Sequence, residues 1–161
     1  MYHTYENISF KLIDPTLPMP HRADGNTGID LYSRLEVVIN PHTMALVPLN
    51  VIVLYGMWHD NKELMHARGT FLLPRSSLFS KHGVMLVNSM GVIDASYRGP
   101  EDEVKAALFN LTDKATVIPR GERICQLVCL TYETPEVIIV NEDVLQTKTI
   151  SPSRGGFGST G

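Results

Sequence analysis

Short apolar or alternating runs recur along the chain, with turn residues between them. Runs of this length, bounded by Gly, Pro, Asn, Asp and Ser, are typical of β-strands. Their steady repetition predicts an all-β barrel or sandwich. The predicted strands cover residues 8–13, 35–39, 45–55, 69–74, 84–88, 91–94, 103–110, 115–119, 123–132 and 136–140.

Helical patterns are scarce. SSLFSKHG (76–83) predicts one short helical turn, and NKELMHARG (61–69) predicts a second that ends at its glycine. Residues 141–161 lose the apolar periodicity and become rich in Ser, Thr and Gly. A frayed terminus commonly has this composition, but a plain linker has little use for an aromatic residue such as Phe157.

Composition and charge narrow the class of protein. The chain has 161 residues, enough for one domain with a real core, and its net charge is −3. There is no basic field, so we expect no nucleic-acid partner, and a bound polyanion would need a local site. We find no signal peptide, and no stretch approaches the roughly 20 apolar residues of a membrane span. We therefore expect no membrane partner.

The two cysteines, Cys125 and Cys129, lie four residues apart in one predicted strand. That spacing separates them by about 13 Å on one face, which is too far for a disulfide. We interpret them as small core residues of a reduced, intracellular protein. The six histidines form no pair with metal-ligand spacing, so we expect them at the surface.

An aspartate interrupts the apolar run GVIDASYRG (91–99). Gly91, Val92 and Ile93 predict a strand, but Asp94 would cost several kcal/mol, by order of magnitude, if it faced an apolar wall without a partner or water. Asp94 therefore either caps a turn or performs chemistry.

Two segments have the composition of anion sites. GGFGSTG (155–161) has glycines that let backbone N–H groups cradle a phosphate, with hydroxyls at Ser159 and Thr160. Arg154 adds a fixed positive charge and Phe157 a ring that can stack on a base. The segment is no Walker A loop, since it lacks the Lys and the strand–loop–helix frame.

The second segment, PRSSL (74–78), places Arg75 before Ser76 and Ser77 at the start of the short predicted helix. This pattern is typical of an anion site, although a Ser N-cap beside a solvated arginine has the same composition.

Two further polar residues interrupt apolar runs. Asp30, in TGIDLYS (27–33), lies between Ile29 and Leu31 and is better suited to a structural role than to catalysis. It could orient an arginine through a bidentate pair, and Arg75 is a candidate. Gln126, in GERICQL (121–127), follows a predicted turn and either reaches a cleft or lies on the wet face of its strand.

Five segments, TGIDLYS, PRSSL, NSMGVIDASYRG, GERICQL and RGGFGSTG, occur in this order from residue 27 to the C-terminus. They resemble the five motifs of the trimeric deoxyuridine triphosphatase (dUTPase) family, in wording closest to Gram-positive bacteria and their phages. The resemblance implies a jelly-roll-like β-subunit that forms a homotrimer. It also implies a β domain over residues 1–146 and a flexible C-terminal lid over 147–161, which closes over sites between subunits.

The implied reaction converts dUTP and water to dUMP and pyrophosphate, with Mg²⁺ held by phosphate oxygens and waters. Such an enzyme limits uracil in DNA and supplies dUMP for thymidylate synthesis. Asp94 matches the family's water-activating aspartate, and Tyr97 the tyrosine that packs under deoxyribose and leaves no room for a 2′-hydroxyl. Asn88 matches the amide that reads uracil. The hairpin from Asn88 to Asp94, with Val92 and Ile93, would exclude a 5-methyl group.

The resemblance also assigns the phosphate contacts. Arg75, Ser76 and Ser77 would hold the α- and β-phosphates, with Gln126 from a neighbouring subunit. Phe157 would stack on uracil, and the γ-phosphate would be held by Arg154, Ser159 and Thr160. The chain departs from the common pattern at two places: Ser77 replaces a glycine, and Arg154 lies only three residues before Phe157, with Pro152 in the usual arginine position.

Two alternatives stay open. The related dCTP deaminases share the fold and the Arg-Ser-Ser motif, but their proton-shuttling glutamate would fall near Ala107, where KAALFN has no acid. A regulatory protein partner is the other, because phage members of the family can bind host repressors.

Two segments, 56–69 and 99–105, are long; we interpret the acidic residues 101–103 as a solvated loop. The expected location is the cytoplasm, that of the host if a phage encodes the chain.

Overall fold

The structure, a computed structural model, describes residues 8–55, 68–94, 96–131 and 137–139. Strands dominate this part of the chain, so the predicted all-β class is confirmed. The elements are β1 (Ile8–Leu12), β2 (Ile29–Tyr32), β3 (Val37–Ile39), β4 (Met44–Pro48), β5 (Val51–Tyr55), β6 (Arg68–Pro74), α1 (Leu78–His82), β7 (Val84–Leu86), β8 (Gly91–Ile93), β9 (Lys105–Asn110), β10 (Thr116–Ile118) and β11 (Arg123–Thr131).

The strands pair into small antiparallel sheets. The largest has the order β2-β11-β6-β8, a second has the order β4-β9-β7, and β1 pairs with β5 and β10 with β3. Strand β11 is central, with Gln126 opposite Asp30 on one side and opposite Leu73 on the other. The four-stranded sheet therefore places segments of four predicted motifs side by side.

The core lies between the sheets and takes side chains from nearly all of them. Strand β9 shows the reason, since its alternating pattern turns Ala106, Leu108 and Asn110 inward. Burial of such side chains stabilises the fold by about 1.5–3 kcal/mol for each large aliphatic residue. The fully buried set includes Leu31, Ile39, Val47, Leu49, Val53, Leu108, Ile118, Ile124 and Leu127.

The predicted strand over residues 45–55 is in fact two strands, β4 and β5. Asn50 breaks it by adopting a left-handed backbone with φ of 66°, which asparagine tolerates better than most residues. The Asn50 side chain accepts a hydrogen bond from the Asp14 N–H at 2.7 Å and donates one to the Asp14 carbonyl at 3.0 Å. Hydrophobicity alone does not reveal such a turn.

The sequence predicts strands over residues 35–39 and 136–140 and a helical turn over residues 61–69. Only residues 37–39 of the first form a strand. Residues 137–139 are in no strand and are 90%, 71% and 95% exposed; their apolar composition favours a strand, but a strand requires an adjacent edge to pair with. The predicted helical turn at 61–69 lies outside the described residues, except that Arg68 and Gly69 begin β6.

Two predictions of surface character are wrong. Glu103, expected in a solvated acidic loop, is only 7% exposed and pairs with Arg34 at 2.7 Å. His82, expected at the surface, has a side chain 13% exposed and lies 3.2 Å from Glu122. Both burials depend on partners far away in sequence, so neither has a local signal.

The prediction of two core cysteines is confirmed for Cys125 only. Both are free thiols, but Cys125 is buried whereas Cys129 is only partly buried. Burial raises the pKa of Cys125 to about 12, as expected for an inert core residue. Among the described residues, no helix is long and apolar enough to span a membrane.

Candidate active site

A cluster of charged side chains gathers at one end of the four-stranded sheet. The Nε atom of Arg75 lies 3.0 Å from Oδ1 of Asp30, as the sequence predicted. The other oxygen of Asp30 lies 3.3 Å from Nη1 of Arg123. The Asp30 side chain is 17% exposed, so one partly buried carboxylate orients two guanidinium groups.

Gln126 joins this cluster. It is partly buried, and its Nε2 donates a hydrogen bond to the Pro74 carbonyl at 3.2 Å, directly before Arg75. A Cβ at Gly28 would lie 2.0 Å from the Gln126 side-chain oxygen. The absence of a side chain at Gly28 therefore creates the space that Gln126 occupies, and the cleft interpretation of Gln126 fits better than the wet-face one.

The two serines follow Arg75 at the start of α1. Ser77 is at the N-cap position but makes no side-chain capping hydrogen bond, so the simple capping interpretation does not hold. Ser76 is exposed. Both serines thus directly follow an oriented arginine in the chain, and the Ser77 hydroxyl is not engaged in capping.

The other end of α1 is tied to the turn before β11. Glu122 lies 3.2 Å from His82 and 3.3 Å from Lys81. Burial alone would raise the pKa of the Glu122 carboxyl, but hydrogen bonds from His82 and Lys81 outweigh it and lower the pKa. This contact secures the segment that carries Arg75 and the serines.

A second group of predicted residues lies on and after β8. Asp94 directly follows this edge strand and is exposed, as are Val92 and Asn88, while Ile93 is partly buried. The Tyr97 N–H donates to the Asp94 carbonyl at 2.9 Å, which folds the chain back so that Tyr97 lies next to Asp94. Asp94 therefore faces water and not the core, which resolves the apparent cost of an acid in an apolar run.

The segment from Asn88 to Asp94 is not the hairpin that the motif suggested. Strand β7 pairs with β9, and β8 pairs with β6, so residues 87–90 connect two different sheets. Ser89 turns the chain there with φ of 56°. A Cβ at Gly91 would lie 3.3 Å from the Asn88 amide nitrogen, so Gly91 allows the close approach of Asn88.

The two groups lie at opposite ends of β6. Ile93 is opposite Thr70, whereas Cys125 is opposite Pro74, next to Arg75. Thr70 and Arg75 are five positions apart, which separates their Cα atoms by about 16 Å in an extended strand. Asp94 and Arg75 of one chain are therefore not placed to contact the same phosphorus atom.

Comparison with known proteins decides the family. The sequence profile of the dUTPase family matches residues 16–161. The chain belongs to the dUTPase family. A deoxyuridine 5′-triphosphate nucleotidohydrolase of Mycobacterium marinum is 44% identical over 155 residues, covering 92% of this chain and 91% of that protein. The same enzyme of Mycolicibacterium gilvum is 40% identical over 152 residues, with the same coverage.

Solved structures agree with this assignment. The crystal structure of a dUTPase from Streptococcus mutans matches with a TM-score of 0.67 and 28% identity, covering 80% of this chain and 98% of that one. A dUTPase of Staphylococcus bacteriophage 80alpha, solved with dUPNHPP, matches with a TM-score of 0.75 and 25% identity, covering 96% and 98%. These neighbours confirm the resemblance and include proteins of a Gram-positive bacterium and a phage.

The sequence patterns did not predict the roles of three residues of this chain. Arg123 shares Asp30 with Arg75, and Arg34 and Glu103 form a pair 69 positions apart. Arg123 could have been suspected, because it is a charged residue at the start of a strand beside motif residues. The pair has no sequence signal, because only the fold brings its members together. The predicted residues Arg154, Phe157, Ser159 and Thr160 lie outside the described residues.

Replacing Asp30 should weaken the dUTPase activity through Arg75. In Asp30→Asn the arginines lose the charge that orients them. We expect Arg75 to contact a substrate phosphate, and a small misplacement of such a contact can cost about 10²-fold in rate. We expect kcat/KM for dUTP to fall by up to about 10²-fold. The control is Asp14→Asn, which breaks the 2.7 Å ion pair with Arg120 elsewhere. Equal kcat/KM in both variants would contradict the orienting role.

Replacing Gly28 should remove Gln126 from the cluster. In Gly28→Ala the new methyl group must displace the end of a flexible side chain, so the fold should persist while the contact is lost. A hydrogen bond from Gln126 to a charged phosphate would be worth about 1.5–3 kcal/mol, and its loss would lower kcat/KM by about 10–150-fold. The matched control is Gly25→Ala: Gly25 has φ of +80° with no atom within 4 Å, so alanine strains the backbone there without touching Gln126. Full activity of Gly28→Ala would exclude a role for Gln126.

Proposed function

We propose that this chain hydrolyses dUTP to dUMP and pyrophosphate. The observation that carries the proposal is the pair of half-sites on one sheet: Arg75 oriented by Asp30 at one end of β6, and the exposed carboxylate of Asp94 after β8 at the other. Membership of the dUTPase family supports it, and so do curated relatives named for this reaction.

Asp94 is the general base in this proposal. Its carboxylate accepts a proton from a water molecule while the water oxygen forms a bond to the α-phosphorus. The bond from that phosphorus to the bridging oxygen of the β-phosphate breaks, and pyrophosphate leaves with the electron pair. A positioned base contributes about 10²–10⁴-fold to such a reaction.

Arg75, Ser76, Ser77 and Gln126 bind the α- and β-phosphates. The oriented guanidinium supplies charge, while the hydroxyls and the amide donate hydrogen bonds. Among the described residues, no three His, Cys, Asp or Glu side chains gather as a metal site. We propose that Mg²⁺ is held mainly by the phosphate oxygens of the substrate and by waters, as that ion prefers. The ion would neutralise charge on the triphosphate.

The base and the sugar bind beside β8. This strand is at the edge of its sheet, so a flat ring can lie along the backbone of Val92 and Ile93 without displacing a neighbouring strand. Asn88 reads the uracil edge, and the close backbone excludes a 5-methyl group. Tyr97, 37% exposed, packs under deoxyribose where a 2′-hydroxyl would otherwise lie.

The complete site needs more than one subunit, and we propose a homotrimer. The separation of Asp94 and Arg75 along β6 supports this, because the partner's Arg75 would face Asp94 across an interface. The exposed apolar residues 137–139 also suit burial against another subunit. Gln126 lies beside Arg75 of its own chain. The same neighbouring subunit would therefore supply both side chains to the phosphates of a substrate bound at Asp94.

We further propose that residues 147–161 act as the lid of the β domain, 1–146. Arg154, Ser159 and Thr160 would hold the γ-phosphate and Phe157 would stack on uracil. Deleting residues 150–161 should leave a folded oligomer with severely reduced kcat, because closure of a lid excludes water from the reacting phosphate. Size-exclusion chromatography and steady-state kinetics measure both; a normal kcat would show that the arm has no catalytic role.

The decisive experiment measures pyrophosphate release from dUTP, UTP, dTTP and dCTP, each with and without Mg²⁺. Hydrolysis of dUTP alone, enhanced by Mg²⁺, is the expected result. Comparable rates with UTP or dTTP would remove the sugar or base assignment. Release of ammonia from dCTP would move the chain to the deaminases.

A regulatory protein partner is a second candidate role. The phage 80alpha dUTPase is described among phage dUTPases that control transfer of virulence genes. A partner that binds stoichiometrically and equally well to Asp94→Asn would support this role, and binding that requires catalysis would oppose it.

The free thiols of Cys125 and Cys129 support a reducing location such as the cytoplasm.

A further inference from the structure

Arg34 and Glu103 form a bidentate ion pair that the sequence did not reveal. Nε of Arg34 lies 2.7 Å from Oε1 of Glu103, and Nη2 lies 2.8 Å from Oε2. Glu103 also accepts a hydrogen bond from the Asn50 N–H at 2.9 Å and is only 7% exposed. A nearly buried carboxylate with three donors is held rigidly, and so is the backbone that carries it.

That backbone holds the ring of Tyr97. The Tyr97 hydroxyl donates a hydrogen bond to the Glu103 carbonyl at 3.0 Å, and the Tyr97 N–H donates to Asp94 at 2.9 Å. Tyr97 is thus fixed at its backbone and at the tip of its ring. Burial and the negative charges of Asp102 and Glu103 raise the pKa of the Tyr97 hydroxyl, so it stays a donor at neutral pH.

The segment between Tyr97 and Glu103 is closed on itself and fastened to the core. The Gly99 N–H donates to Oδ2 of Asp102 at 2.7 Å. After Glu103, Val104 donates to the Val51 carbonyl and accepts from the Leu49 N–H, both at 2.9 Å. Segment 99–105, noted in the sequence only for its length, therefore links Tyr97 to the interior.

We propose that the Arg34–Glu103 pair positions Tyr97 and thereby sets the preference for deoxyribose over ribose. This inference rests on the proposed function, in which Tyr97 packs under the sugar. A tolerant pocket discriminates weakly against one added hydroxyl. Strong rejection of the 2′-hydroxyl requires a ring that cannot yield, and the ion pair supplies that rigidity from outside the site.

The test compares the ratio of kcat/KM for dUTP to kcat/KM for UTP in a set of variants. In Arg34→Met the buried carboxylate loses its partner, and we expect the ratio to fall by about tenfold, mainly through faster use of UTP. Tyr97→Phe, which breaks only the bond to Glu103, should lower the ratio in the same direction. Arg34→Lys, which keeps the charge without the planar fork, should restore part of the ratio.

The control is Asp113→Asn, which breaks another ion pair, with His42 at 2.8 Å on an exposed part of the surface. It should leave the ratio unchanged. In the double variant Arg34→Met/Tyr97→Phe, the dUTP-to-UTP ratio should fall no further than in the single variant with the lower ratio. The reason is that both changes act through one contact.

Three outcomes overturn the inference. The first is an unchanged ratio in Arg34→Met with only a lower melting temperature, which would make the pair purely structural. The second is additive effects in the double variant. The third is an unchanged ratio in Tyr97→Phe, which decides the matter even if Arg34→Met fails to fold. If the unaltered protein uses UTP as well as dUTP, or neither, the proposed function itself fails, before any variant is compared.

Discussion

Asp94→Asn is expected to bind dUTP but to hydrolyse it about 10²–10⁴-fold more slowly than the unaltered protein. Asparagine has nearly the same shape but cannot accept the proton of the attacking water. The Asp94 side chain is exposed on the edge of the sheet, so the change should leave the fold intact. Single-turnover kinetics measure the loss, and titration with a non-hydrolysable imido analogue of dUTP measures binding.

The matched control for this prediction is Asp113→Asn. The Asp113 side chain is 98% exposed and pairs only with the exposed His42 among the described residues, so its turnover should be unchanged. A loss of analogue binding in Asp94→Asn equal to its loss of turnover would assign Asp94 to substrate binding. Unaltered turnover would refute the base assignment outright.

Two inactive variants should restore each other's activity when they share an oligomer. Arg75→Ala removes the proposed phosphate contact, and Asp94→Asn removes the proposed base. Because these residues lie at opposite ends of β6, a mixed oligomer can place an intact Asp94 of one chain against an intact Arg75 of another. With equal co-expression and random assortment around a symmetric trimer, about a quarter of such shared sites would be complete over all oligomers, and about a third in the mixed oligomers alone.

Differently tagged chains, purified in sequence through both tags, isolate the mixed oligomers for this measurement. One control replaces the Asp94→Asn chain by a chain carrying both substitutions; mixed with Arg75→Ala chains, it leaves no intact Arg75 and should stay inactive. Separately purified variants, combined without subunit exchange, should also stay inactive. Failure of the tagged mixed oligomer to regain activity would place a complete site within one chain.

Much of the site was predictable, because its residues lie in short local patterns. Asp30 was expected to orient Arg75, and the two lie 3.0 Å apart. The strand before Asp94 and the short helix after Ser77 also follow from local residue types. Each of these predictions depended on residues close together in the chain or on a recognisable motif.

The failures involve contacts between distant segments. The split of 45–55 follows from Asn50, which the fold holds against Asp14. Residues 137–139 have the composition of a strand, yet composition does not supply the neighbouring edge that a strand requires. Glu103 looked solvated because its partner Arg34 is 69 positions away.

The sequence by itself determined the all-β class, the family and the chemistry of its motifs, because alternation and motif wording are local properties of the chain. Only the tertiary structure decided where those groups lie relative to one another. It placed Asp30, Arg75 and Gln126 at one end of β6 and Asp94 at the other, and it joined Tyr97 to Glu103. The physical reason is that strand order and register arise from burial and pairing summed over the whole chain, which no short segment specifies.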